Sequence, residues 1–398
     1  MYSFGILLGE HPLFAQHMST TTGICSSNVT IMNSSPLSNI GMVTWDYRPP
    51  KGGLGRAFQQ MQAALVASSP TTVSVLSSTG GTHNSATWTR RFGGHIAFSA
   101  VLLFSLQRWI NRTARHLLLF PCGPGGIFLL RKPKGCKVVA VVYHTYAQQC
   151  RLVPGQWWKR LFVSLERLTL RKADHILCYA EDTRQVLLRT YHLDERRVTL
   201  LPQLIPLQPW VPTKTVKDKN LCVCIARLEQ RKGVLFLLRV WERVQVQAPQ
   251  ATLILVGDGI QAAKIDRLIL RKKLSVQRIP SLPQNELIAL VQSARMLLCP
   301  SFLEGFGLTA TEAMASETLV LASDTDGLRS LMTDARTGVL IEPGNQSAWV
   351  QAIQEYLADT EKGKDIALCA RAEVCTRFAY DHSIRALQEC LKQVYSAQ

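Results

Sequence analysis

The chain has 398 residues, 47% of them hydrophobic and 18% charged, with a formal net charge of +17. That length exceeds one ordinary core and suits two domains, while the composition excludes a disordered, low-complexity or solenoid chain. Eleven cysteines occur without a CxxC pair, most of them inside apolar runs such as Leu221-Cys-Val-Cys-Ile-Ala226; they read as small buried hydrophobes of a reducing compartment, which argues against zinc and disulfides.

Residues 1–38 are rich in Ser, Thr and Asn, lack a sustained period and read as an extension without assigned function. No cationic start precedes Phe4 to Leu8, so a signal peptide is not expected, and the sequons at Asn28 and Asn111 then go unused. A strand is expected over Ile40 to Trp45, followed by the loop Lys51-Gly-Gly53-Leu-Gly55-Arg56 and an Ala/Gln-rich helix to Val66. The longest apolar stretch, Ile96 to Leu106, contains two serines and falls short of the roughly 20 residues a membrane span needs, so it reads as a core helix. Val138 to Tyr143 is an apolar strand ending at His144 and Thr145. Ligands of α/β sheets bind beyond the carboxyl ends of strands, which makes His144 a candidate, although a lone histidine is more often structural.

Charge is uneven: residues 1–210 hold 22 Lys and Arg against 8 Asp and Glu, net +14, whereas residues 211–398 hold 23 against 20, net +3. Basic clusters lie at Arg108/Arg112/Arg115, at Arg131-Lys-Pro-Lys134 and at Trp157-Trp-Lys-Arg160-Leu-Phe162, the last continuing with Leu165, Leu168 and Arg171-Lys172 at helical period. Two readings of that segment stand equally: a helix suited to an anionic lipid headgroup layer, or a half-buried domain helix with a solvated cationic side. No nucleic-acid motif accompanies the charge.

The proline-containing run from Pro206 to Lys219 reads as a linker, dividing the chain near 205. The second half opens with the strand Leu221 to Ala226 and a turn carrying Arg227 and Lys232, two cations placed to suit a diphosphate. Ala251 to Gly259 gives a strand and turn, and the stretch from Asn285 a helix. In Ala294 to Ala315 a buried strand leads through Pro300-Ser-Phe-Leu-Glu304-Gly305-Phe306-Gly307 into a helix near Leu308 that carries Glu312. Gly305 and Gly307 let the backbone turn tightly, the helix start suits a phosphate, and the two carboxylates can accept from hydroxyls on either side of it. The acidic residue Glu312 taken alone is also favourable at any helix start.

Glu304 to Glu312 resembles the E-x7-E motif of retaining glycosyltransferases of family 4, and the resemblance runs from about Asn39 to the terminal helix near Tyr395. It implies an α/β GT-B fold: an N-terminal Rossmann-like acceptor domain (39–205), a C-terminal Rossmann-like nucleotide-sugar domain (206–375), and a terminal helix (376–398) crossing back to the first. It further implies that Gly53, Gly55, Gly305, Phe306, Gly307, Leu308 and Glu312 bind the donor, with Glu312 on the ribose. His144 and Glu304 would hold the transferred sugar, Thr145 would assist, Arg56 would add positive charge, and Arg227 and Lys232 would neutralise the leaving diphosphate.

By that resemblance the chain is a hexosyltransferase of a nucleoside-diphosphate sugar and a lipid-linked or glycan acceptor. It would need no metal or other cofactor and would work in the cytoplasm, with an anionic membrane surface as a candidate partner and nucleic acid excluded. The sequence departs from the family pattern at Gln203-Leu204, where Asn-Gly is usual, at Arg295, at Glu317 and Leu319, and at Asp326 to Ser330. A catalytically silent partner subunit, or an epimerase or glycan phosphorylase of the same fold, remains compatible with these residues.

Overall fold

The computed structural model describes residues 39–47, 53–68, 71–77, 94–113, 116–212, 216–359 and 361–397; the extension 1–38 and the start of the glycine loop lie outside them. The first domain is a six-stranded parallel sheet in the order β2-β1-β3-β4-β5-β6. Its elements in chain order are β1 Asn39–Thr44, α1 Gly53–Ser68, β2 Thr72–Ser77, α2 His95–Thr113, β3 Leu117–Cys122, β4 Lys137–Val142, α3 Tyr146–Leu152, α4 Arg160–Lys172, β5 His175–Cys178, α5 Glu181–Arg189 and β6 Val198–Leu200. β3 and β4 are apolar almost throughout because helices cover both faces of a parallel sheet.

The second domain repeats the plan, with six parallel strands in the order β12-β11-β10-β7-β8-β9. It comprises β7 Asp218–Ile225, α6 Val234–Gln247, β8 Thr252–Val256, α7 Ala262–Lys272, β9 Val276–Ile279, α8 Gln284–Ser293, β10 Ala294–Cys299, α9 Leu308–Ala315, β11 Leu319–Ser323, the single turn α10 Asp326–Arg329, β12 Val339–Ile341, α11 Gln346–Ala358 and α12 Lys362–Arg377. The last helix, α13 Tyr380–Ser396, returns to the first domain. There Gln388 donates to Ser68 at the end of α1, and the ring of Tyr395 meets His116 edge-on. One apolar cluster therefore runs from Met42 and Phe58 through Leu204 and Ile205 to Val223 and Leu297, and closes on Leu387 and Leu391.

Several departures from the family pattern have structural work. Leu204 is buried in the hinge, and the Gln203 carbonyl accepts from Ser383 of α13 at 3.3 Å, so a packed apolar turn replaces the usual Asn-Gly. Arg295 donates to the carbonyls of Tyr356 and Asp359 and caps the C-terminus of α11. Glu317 adopts φ +53°, a left-handed conformation that glycine takes without strain, and an ion pair with Arg371 accompanies it.

The stretch 96–106 forms part of α2, but it is a core helix on one side only. Phe98, Leu102 and Leu106 are buried while Ile96, Val101, Leu103 and Phe104 face out, Phe104 with 80% of its surface exposed. The apolar run was continuous enough to hide which face packs.

Candidate active site

Two helix starts face each other across the cleft. β10 ends at Cys299, and the chain turns through Pro300 and the glycine loop into α9, whose first residue follows Gly307 at φ +102°. Opposite lies the start of α1: a Cβ built on Gly53 would sit 3.8 Å from the Leu308 side chain. The two helix starts thus lie close together, and the unpaired amides and dipole of a helix start suit an anion. Gly305 approaches so closely that a Cβ would meet the Tyr143 carbonyl of the first domain at 2.8 Å, and a Cβ on Gly327 would meet the Glu304 carbonyl at 2.4 Å. Any side chain at either position would push the loop out of place.

Glu304, Lys232 and His144 converge here. Lys232 forms an ion pair with Glu304, each side chain about one-sixth exposed. Burial pushes the Glu304 carboxyl up, but Lys232 and Arg231 outweigh it and hold the group below its ordinary value, so it is ionised at neutral pH. Burial, then the Arg231 charge, pushes His144 down to about 3, and the imidazole is neutral. Its Nε2 is buried without a hydrogen-bond partner among the described residues, as expected of a ring nitrogen kept for a ligand. Thr145, in contrast, is fully buried and serves as a helix cap: its hydroxyl accepts from Gln148 N at 3.1 Å, and Gln148 Oε1 accepts from Thr145 N at 2.9 Å.

The remaining predicted residues divide. Gly55 is buried in the first turn of α1. Phe306 packs its ring edge-on against Phe378, with ring centroids 5.2 Å apart. Glu312 is buried, which lifts its carboxyl to about 7 against a lowering by Arg56. Arg56 therefore faces Glu312. At the turn after β7 the ion pairs are made by Lys232 and by Arg231, to Glu229 at 2.7 Å, and Arg227 is not drawn into that cluster among the described residues.

Sequence reasoning missed Arg231, whose position beside Lys232 was the available signal. It also missed Glu166, the one acid of α4, set on the helix side that carries Thr169 and Leu170 into the core. Glu166 is fully buried, accepts from Tyr146 N at 2.9 Å and from the Tyr191 hydroxyl, and is pushed up to about 8 by burial. It anchors the chain two residues beyond His144.

This geometry agrees with what the chain matches. The model of glycosyltransferase family 4 matches residues 51–208, and that of the glycosyl transferases group 1 matches residues 211–372. The chain belongs to the group 1 glycosyltransferases. Among curated members of this family, the alpha-maltose-1-phosphate synthase of Mycolicibacterium smegmatis is 24% identical over 260 residues, 58% of this chain and 66% of that one. The chain spans about half the length of other curated group 1 relatives it matches.

Among solved structures, sucrose-phosphate synthase from Thermosynechococcus elongatus superposes with a TM-score of 0.76 at 19% identity, covering 91% of this chain and all of that one. Anabaena HepE in complex with UDP-glucose gives 0.65 at 16%, covering 89% and 99%. Both share the GT-B glycosyltransferase fold.

Proposed function

We propose that this group 1 glycosyltransferase moves a hexose from a nucleoside-diphosphate sugar to a hydroxyl of a lipid-linked or glycan acceptor, with retention of anomeric configuration and without a metal. The observation that carries this reading is the Lys232–Glu304 ion pair on the loop that leads into α9, whose start lies near that of α1. A diphosphate seated there meets amide donors from both helices and the ammonium of Lys232, which stabilise the charge that grows as the bond from the sugar C1 to phosphate oxygen breaks. The acceptor oxygen bonds to C1 on the face the diphosphate leaves, and its proton passes to the departing phosphate. Neutral His144 is suited to hydrogen-bond a sugar hydroxyl, and Glu304 to accept from another. Arg227 is assigned to the same diphosphate, Glu312 to the ribose, and Gly53 and Gly55 to close backbone approach.

A panel of nucleoside-diphosphate hexoses with lipid and soluble acceptors, read by product mass and anomeric configuration, tests the reading. A glycoside with the donor's configuration is expected. Hydrolysis alone, epimerised donor or no turnover rejects it.

The buried carboxyl of Glu312 gives a pH test. Raised to about 7, it is protonated below that pH and has one fewer lone-pair site for ribose hydroxyls. Affinity for UDP is expected to rise more steeply from pH 6 to 8 in the wild type than in Glu312→Gln, where only the terminal phosphate of UDP titrates, by isothermal titration. Equal pH profiles would remove Glu312 from the ribose.

We also assign the first domain to the cytoplasmic face of an anionic membrane. Trp157, Trp158 and Leu161 are exposed, Trp157 at 71% and Leu161 at 79%, and each nearby cation adds about 1 kcal/mol of attraction. Lys159 is excepted, because its ammonium lies 5.5 Å from the Trp158 ring centroid and its neighbours include Glu229 and Arg231 of the cleft. Sedimentation with anionic vesicles should weaken with salt and in Trp157→Ala/Trp158→Ala, and be absent with neutral vesicles. Salt-insensitive binding or none would favour a soluble acceptor.

A further inference from the structure

We propose that Gln230 is a positioning residue: its side-chain amide clasps the first domain and thereby fixes Lys232 in the cleft. The inference rests on the reading of Lys232 as the diphosphate cation. Gln230 Nε2 donates to the carbonyl of Pro154, and Gln230 Oε1 accepts from Gln156 Nε2 at 3.1 Å. Both ends of one amide are thus spent on a single loop of the other domain. The Oε1 of Gln156 is buried without a partner among the described residues, a cost that a side chain with no specific bond to make would avoid. The loop is shaped for the contact. Gly155 lies at φ +71°, and a Cβ there would stand 3.5 Å from Gln230 Nε2.

The other side of the turn transmits the clasp. Gln230, Arg231 and Lys232 form one 3₁₀ turn, closed by Lys232 N donating to the Glu229 carbonyl at 3.0 Å. Gly233 follows at φ +68°, where a Cβ would meet the Pro300 carbonyl at 2.0 Å, and Phe302 N donates to the Arg231 carbonyl at 2.7 Å. With its far end pinned to the Glu304 loop, the turn cannot absorb a displacement of Gln230 internally. A shift of Gln230 therefore moves Lys232 together with Glu304 against the first domain and its His144. Two neutral hydrogen bonds bias an opening equilibrium by on the order of tenfold each, strong enough to register the two domains and weak enough to release between turnovers.

The test labels Arg131 in the first domain and Gln250 in the second with bioorthogonal dyes and reads the interdomain distance distribution with and without UDP. The narrow distribution expected of the wild type with UDP should broaden in Gln230→Ala, which removes both hydrogen bonds, and less in Gln156→Ala, which removes one, with unchanged melting temperatures. Donor turnover should fall about tenfold in kcat in Gln156→Ala and further in Gln230→Ala, with little change in KM, and the double variant should match Gln230→Ala, because that change already breaks the bond Gln156 makes. Unchanged distributions in both variants, or turnover losses that multiply in the double variant, would overturn the proposal. A wild type without sugar transfer would sink the proposed function, and the distance distributions would still decide the clasp.

Discussion

Lys232→Ala should lower turnover by about 10²-fold or more at saturating donor, because the leaving diphosphate loses a cation inside a cleft that excludes much of the water. The loss has a second component. Glu304 keeps Arg231 nearby but loses its ion-pair partner, so burial lifts its carboxyl and the neutral form gains ground. Lys232→Arg restores the charge and should recover part of the rate, although a planar guanidinium does not fit the space of a compact ammonium. Steady-state kinetics with a nucleotide sugar, together with a melting curve to verify the fold, give the answer. Wild-type turnover in the alanine variant would reduce Lys232 to a structural partner of Glu304.

Glu304→Gln should separate binding from turnover in the opposite sense. The carboxylate now competes with any bound diphosphate for the Lys232 ammonium, so removing its charge should tighten binding of free UDP. The same change removes an acceptor from the sugar and should lower kcat by about 10²-fold, the scale of one lost contact made to the reacting group. Tighter product with slower turnover is the signature, read by titration and by initial rates. A variant that binds UDP more weakly and turns over at the wild-type rate would contradict both halves of the argument.

The sheets and the E-x7-E loop were legible because their signals are local. Apolar runs of strand length alternate with helical periods, and Gly305 and Gly307 mark a turn that few other residues can make. The rest depends on partners distant in sequence. Nothing near Phe306 says that Phe378 will take its ring, and nothing near Gln203-Leu204 says that α13 will return to cover the hinge. Thr145 illustrates a local ambiguity, since a hydroxyl at the end of a strand suits a sugar as well as a helix cap; the glutamine three residues on was the sign of the cap. Arg295, at a position where the family commonly has an acid, was legible as a departure, but its use as a cap depends on carbonyls more than 60 residues away in α11.

The return of α13 has a consequence for the order in which the protein can be made. Ser383 and its acceptor Gln203 are 180 residues apart, and translation at about 5 to 20 residues per second separates their synthesis by roughly 10 to 40 seconds. During that interval the residues that share an apolar cluster with Leu387 and Leu391 lack those partners. A ribosome-bound chaperone has a defined surface and a defined window in which to act, and a first domain expressed alone carries that surface permanently.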